Sequence, residues 1–213
     1  MTTAYRAPPT QRPARRSGRG STTASTSTGS RGGSRSQVSH WGWSTRPASA
    51  SKSPSSTWGP GWSTLVDHLV QRGYRDLSAV DLSLTALRTV RDRLGPAGAD
   101  VDLTVADVLD LHMGRAYALW HDRAVYHFLT EPEERADYLA SLERSLRPGG
   151  WLVVATFGPD GPTTCSGLPI VRYTHAELAG QFPGYQLVDT AGEDHLTPWG
   201  TSQQFTAVLM RRL

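Results

Sequence analysis

Ala116-Tyr-Ala-Leu-Trp-His-Asp-Arg-Ala-Val-Tyr-His-Phe-Leu129, followed seventeen residues later by Leu146-Arg-Pro-Gly-Gly-Trp-Leu-Val-Val-Ala155, decides the fold of this chain. The apolar run 116–119 reads as a short strand that delivers Trp120, His121 and Asp122 to its end. A helix-forming segment follows and stops at Pro148-Gly149-Gly150, where a new apolar strand begins at once. Proline cannot continue a helix, and glycine turns the chain without a Cβ clash. In open α/β sheets ligands sit at the carboxyl ends of the strands, so the Trp-His-Asp cluster is where chemistry is expected.

The same alternation extends in both directions. Upstream, Leu65, Val66, Leu69 and Val70 have helical spacing behind Ser63 or Thr64 as cap, with Gly73 closing the helix. Leu77–Val80 reads as a strand ending at Asp81. Leu84, Leu87, Val90 and Leu94 mark one face of a helix over 84–94, and 101–105 reads as a strand leading to Asp107. Downstream, a helix is expected over about 132–146, strands at 151–157, 185–188 and 204–210, and a helix at about 174–182. Strands alternating with helices imply right-handed crossovers and a doubly wound, mostly parallel sheet. The last two strands have no helix signal between them, which predicts an antiparallel pair at one edge.

Charge and composition divide the chain. Its net charge of +3 comes from residues 1–66, which hold nine of the 22 Lys/Arg and no acid; the remainder has 13 basic against 19 acidic residues. Residues 1–57 are rich in Ser, Thr, Arg, Gly and Pro and offer almost nothing to bury, so they are expected to be disordered, with a domain over 58–213. Three readings of that segment stay open: a solvated tail, a basic arm for an acidic partner, or translation in a shifted reading frame. The acidic body gives no reason to expect nucleic acid. The single Cys165 excludes an internal disulfide framework and a cysteine-rich zinc site. No apolar run approaches the length of a membrane span, and no secretory leader pattern opens the chain, so a cytoplasmic protein is expected.

Laid out in this order, residues 63–213 resemble the class I S-adenosylmethionine-dependent methyltransferases, and more narrowly bacterial methyltransferase-domain proteins. The resemblance rests on Ser63–Leu69, Trp120–Leu129 (with Tyr126 where the family has Phe), Leu146–Gly150, Ala155–Phe157, Cys165–Pro169, Arg172-Tyr173 and Thr197–Gly200. It implies a seven-stranded Rossmann-like sheet, S-adenosylmethionine as cofactor, and a small-molecule or protein methyl acceptor. It also implies site residues. Asp81 would accept both ribose hydroxyls, as a carboxylate can. Leu82 would pack on adenine, while Asp107 and the Val108 amide would read its edge. Trp120, His121 and Asp122 would face methyl donor and substrate, with His121 a candidate base and Asp122 an orienting group. Arg123, His127, Arg172 and Tyr173 would lie on the substrate side, together with Cys165, His195 and Trp199; the alternatives are a buried ion pair of Arg123 and His127 with Asp122 and a structural salt bridge for Arg172.

One element departs from the family pattern. Where an apolar first strand and a glycine-rich loop belong, the chain reads Ser51-Lys-Ser-Pro-Ser-Ser-Thr-Trp-Gly-Pro-Gly61, which leaves only Gly59 and Gly61 for the loop. A normal first strand is therefore expected to be lacking. The alternative function is a catalytically inactive remnant or binding module that has lost its cofactor loop.

Overall fold

The computed structural model describes residues 55–58, as backbone, together with 63–197 and 200–213. The segment 1–57 expected to be disordered lies outside the described residues except at 55–57, which are part of a strand instead, paired on both sides; Gly59, Gly61 and Trp199 also lie outside them.

The elements follow in the order β1 (Ser55–Trp58), α1 (Leu65–Gln71), β2 (Leu77–Asp81), α2 (Leu84–Leu94), β3 (Asp102–Val105), β4 (Tyr117–Arg123), α3 (Pro132–Ser145) and β5 (Leu146–Phe157). A two-residue hairpin, β6 (Thr164–Cys165) and β7 (Leu168–Pro169), precedes α4 (His175–Gly180), β8 (Tyr185–Leu196) and β9 (Ser202–Arg212). Seven strands form one sheet in the order β3-β2-β1-β4-β5-β9-β8. β1 through β5 run parallel, and β9 is antiparallel to both of its neighbours. The expected edge pair is there, with β9 inserted between β5 and the edge strand β8.

β1 fills the central place between β2 and β4 with four residues and no aliphatic side chain; Ser55 pairs with Leu77 on one side and Leu119 on the other. Ladder bonds come from the backbone, so a strand held on both sides tolerates polar side chains that would not nominate it from sequence. The strand is short and non-aliphatic, but it is in place. It ends immediately before Gly59, at the carboxyl edge of the sheet.

Each strand presents alternate residues to opposite faces. On β2, Leu77 and Ala79 pack with Val66, Leu69, Leu87 and Val90 beneath α1 and α2, while Val80 joins the opposite core of Trp120, Tyr138, Leu142, Leu152 and Phe182 beneath α3 and α4. Leu84 departs from its expected helix face. It is about half exposed, because it occupies the first turn of α2, beyond the edge of the sheet.

Two boundaries differ from the sequence reading. The Leu146-Arg-Pro-Gly-Gly segment does not separate helix from strand: β5 already begins at Leu146, paired with Tyr117, and the ladder resumes at Leu119 with Trp151. Residues 147–150 form an irregularity that demands small residues. Gly149 has φ +69°, and a Cβ on Gly150 would stand 2.7 Å from the Arg147 carbonyl oxygen and 2.8 Å from Leu146 Cδ1. Gly150→Ala is therefore expected to lower stability by about 1–3 kcal/mol, read by urea unfolding. Second, β8 runs to Leu196 rather than Val188. Its outer half is polar and is held by continuous pairing to β9, a tertiary contact with no apolar signature in the sequence.

Candidate functional site

The carboxyl ends of β2 and β3 form one ledge. Asp81 closes β2, pairs in register with Val105, and takes the Ser83 amide on Oδ1 at 2.8 Å. Ser83 in turn caps α2 by accepting the Ala86 amide. Ser83, not Asp81, is thus the cap of α2, and Asp81 shapes the turn leading into it. Beside this carboxylate, Leu82 is 54% and Val105 51% exposed. Apolar side chains at two adjacent strand ends, open to solvent and next to an acid, suit a ligand with a flat apolar part and a polar rim. Asp107 is exposed and accepts the Leu109 amide at 2.9 Å, opening a 3-10 turn in which Val108 is buried in the core. Val108 can meet a ligand through its backbone, whereas its side chain is committed to packing.

The Trp-His-Asp cluster divides by face. Trp120 is fully buried and its Nε1 donates to Tyr138 Oη at 3.0 Å; Tyr138 donates to Asp122 Oδ2 at 2.8 Å. Asp122 Oδ1 takes the amides of Val125 and Tyr126 at 3.0 and 3.4 Å. These bonds fasten the turn after β4, where Ala124 has φ +65°. Burial pushes the Asp122 carboxyl up to about 6, against the pull of the Tyr138 hydroxyl and the two amides. The indole of Trp120 and the carboxylate of Asp122, both expected to face ligands, are instead committed to the core. What they deliver to the strand end is a fixed turn. Tyr138, the hinge of the chain of bonds, carried no sequence signal, because a helical Tyr at core spacing reads as packing.

His121 and Arg123 point to the opposite face. Burial, then the charge of Arg123, lower His121 to about 4. It is therefore neutral at pH 7 and able to accept a proton, though only weakly basic. Arg123 reaches across Ala155 of β5, its register partner, and Ala207 of β9, which pairs with Ala155. Its guanidinium carbon stands 4.1 Å from the centroid of Phe205, and Nη2 is 3.9 Å from Oε2 of Glu193 on β8. His195 lies on the same side of β8, with Nδ1 3.7 Å from Glu193 Oε1. His127 is wholly buried between Phe128 and Phe157, and neither ring nitrogen has a hydrogen-bond partner. Burial, with the charge of Arg123, lowers it to about 4.

Arg172, Tyr173 and Cys165 sit elsewhere. Arg172 Nη1 donates to the carbonyls of Pro159 and Gly161, pinning the loop after β5, so its guanidinium is spent on backbone. Tyr173 belongs to the core around Tyr126. Burial pushes the Cys165 thiol up, away from nucleophilic chemistry. Among the described residues no cluster of His, Cys, Asp and Glu is placed to hold a metal ion, and no helix is long and apolar enough to cross a membrane.

Comparison with known proteins agrees with this architecture. A family model described as a methyltransferase domain matches residues 57–150, from β1 through the β5 irregularity. Solved structures share the fold at low identity. A methyltransferase from Methanosarcina mazei has a TM-score of 0.63 at 14% identity, covering 76% of this chain and 93% of its own. The 1,6-didemethyltoxoflavin N1-methyltransferase of Burkholderia thailandensis, bound to that substrate and S-adenosylhomocysteine, has a TM-score of 0.61 at 20% identity, with 82% of each chain covered. A glycopeptide N-methyltransferase in complex with S-adenosylmethionine gives 0.62 at 13%, covering 84% and 93%. Residues 57–150 thus match a methyltransferase domain, and the chain shares the fold of S-adenosylmethionine-dependent methyltransferases. No curated protein matches it.

Beside Arg123, the group that sequence reading did not single out is Glu193. In the structure Ala191, Glu193 and His195 alternate with the more exposed Gly192, Asp194 and Leu196, but this polar half of β8 carries no apolar pattern that would mark its inner face in the sequence. His127 carries a measurable consequence. A histidine held neutral by burial stabilises the fold above its unfolded-state value of about 6.5, and that stability is lost as pH falls toward 4. Asp122, raised instead, works in the opposite sense over pH 4–6. His127→Leu removes two unpartnered nitrogens, so at pH 7 it is expected to match or exceed the parent in stability. Between pH 7 and 5 it should lose on the order of 1–2 kcal/mol less, by urea unfolding at each pH.

Proposed function

We propose that this chain binds S-adenosylmethionine along the carboxyl ends of β1 to β4 and transfers its methyl group to a small-molecule acceptor held over β4, β5, β9 and β8. The supporting observation is the ledge of Asp81, Leu82 and Val105, which fits the cofactor's nucleoside part. A carboxylate able to take a diol stands beside two exposed apolar side chains. Asp107 and the Val108 backbone would address the adenine edge, and Gly59 and Gly61 would let the chain pass close to the methionine part.

When bound, the cofactor supplies an activated sulfonium methyl open to in-line attack. The protein's share is placement. The turn fastened by Asp122 and Tyr138 holds His121 and Arg123 at the strand end, and orienting two reactants is worth several kcal/mol of barrier. His121, neutral at pH 7, can take a proton from a protonated acceptor, although its low basicity makes it a minor contributor.

The acceptor class is tested by incubating the protein with methyl-labelled S-adenosylmethionine and separate small-molecule and protein fractions of a cell extract. Label is expected among the small molecules. Label confined to protein would contradict a small acceptor.

The competing reading, an inactive remnant, draws on one observation: the central strand β1 is four residues long and carries Ser55, Ser56 and Thr57 where aliphatic residues would anchor the cofactor loop.

A further inference from the structure

Arg123 and Glu193 are an unusual pair. Nη2 of one and Oε2 of the other are both buried, and neither makes a hydrogen bond. They stand 3.9 Å apart, too far to bond each other. A buried ion pair repays its desolvation only with good geometry and with its remaining donors and acceptors satisfied. This one has neither, and its cross-strand neighbours are small and apolar: Ala155, Ala207 and Ala191 occupy the same row across β5, β9 and β8.

The surroundings narrow what would complete the pair. Phe157 and Phe205, with ring centroids 4.8 Å apart, line one side. Phe205 lies under the guanidinium, and the unpartnered imidazole of His127 packs at a tilt against Phe157, centroids 4.9 Å apart. A lone anion would meet Glu193, and a lone cation would meet Arg123. A planar group offering a carbonyl oxygen next to an N–H satisfies both at once, taking the Arg123 donor on its oxygen and giving its hydrogen to Glu193.

We propose that Arg123 and Glu193 form the recognition seat of the methyl acceptor, and that the acceptor is a planar heterocycle or cyclic amide with an adjacent N–H and C=O edge. The assignment rests on the methyltransferase reading of the site. It concerns how the acceptor is held and leaves the methylated atom unassigned. Discrimination at such a seat is strong, because a ligand lacking either group leaves a buried charge unpaired.

The test uses fragments by ligand-observed NMR on the full chain: 2-pyridone, N-methyl-2-pyridone, benzoate and benzylamine. 2-Pyridone is expected to bind, the other three to bind at least about tenfold more weakly, and Glu193→Gln to weaken 2-pyridone about tenfold. Thermal unfolding verifies that Glu193→Gln is folded; if it is not, the fragment ranking on the parent chain decides alone. Binding of N-methyl-2-pyridone equal to that of 2-pyridone, preference for benzoate or benzylamine, or no fragment binding would overturn the proposal. S-adenosylhomocysteine added to the same samples reads the cofactor site separately. Cofactor binding without pyridone binding sinks only the seat, and pyridone binding without cofactor binding sinks only the methyltransferase reading.

Discussion

Trp120→Ala is expected to cost about 3–5 kcal/mol, enough to unfold much of a domain whose whole stability is about 5–15 kcal/mol. The indole is fully buried against Tyr138 at a centroid distance of 5.9 Å, and its Nε1 donates to the Tyr138 hydroxyl. Deleting it opens a large cavity and removes a donor from the bond chain that ends on Asp122. Trp120→Phe keeps most of the volume and should cost only about 1–2 kcal/mol by urea unfolding, since Tyr138 still donates to Asp122. Because the indole does not reach the surface, Trp120→Phe should leave affinity for S-adenosylhomocysteine within about twofold. A folded Trp120→Phe protein that loses most of its affinity would return the ring to the cofactor, where the sequence resemblance had put it.

Asp81→Ala has the opposite signature. Its carboxylate is at the edge of the sheet and accepts the exposed Ser83 amide, so its removal should change stability by about 1 kcal/mol or less. Affinity for S-adenosylhomocysteine should fall about ten- to a hundredfold, the range for losing a charged acceptor from two hydroxyls. Asp81→Asn, which keeps one acceptor, should fall between the two. The separation matters: affinity lost at constant stability marks a binding group, whereas the Trp120 variants lose stability first. An Asp81→Ala protein that binds as tightly as the parent would move the ribose elsewhere.

The frame of the molecule was legible because its signals are local. Strand-end acids, helical spacing and the glycine pair located β2, α2, β3, β4, α3 and β5, and with them the strand-end positions of Asp81 and Leu82. What was not legible depends on pairing between distant segments. Ser55–Trp58 takes its place through backbone bonds to two neighbours, and the polar outer half of β8 is held by β9. The same cause explains the misreading at Trp120 and Asp122. Adjacent residues on a strand face opposite sides of the sheet, so a motif read as one cluster splits, with Trp120 and Asp122 turned to the α3/α4 core and His121 and Arg123 turned to the other face. Glu193 and Phe205 join Arg123 only because β9 folds back between β5 and β8.

The central claim is that this chain, with its short polar β1, holds the cofactor. Calorimetric titration of S-adenosylhomocysteine into the purified protein tests it most directly. The account predicts saturable binding at one site per chain, weakened by Asp81→Ala and unaffected by Trp120→Phe. Absence of binding to a protein shown to be folded would contradict it, and would leave a methyltransferase fold without its cofactor.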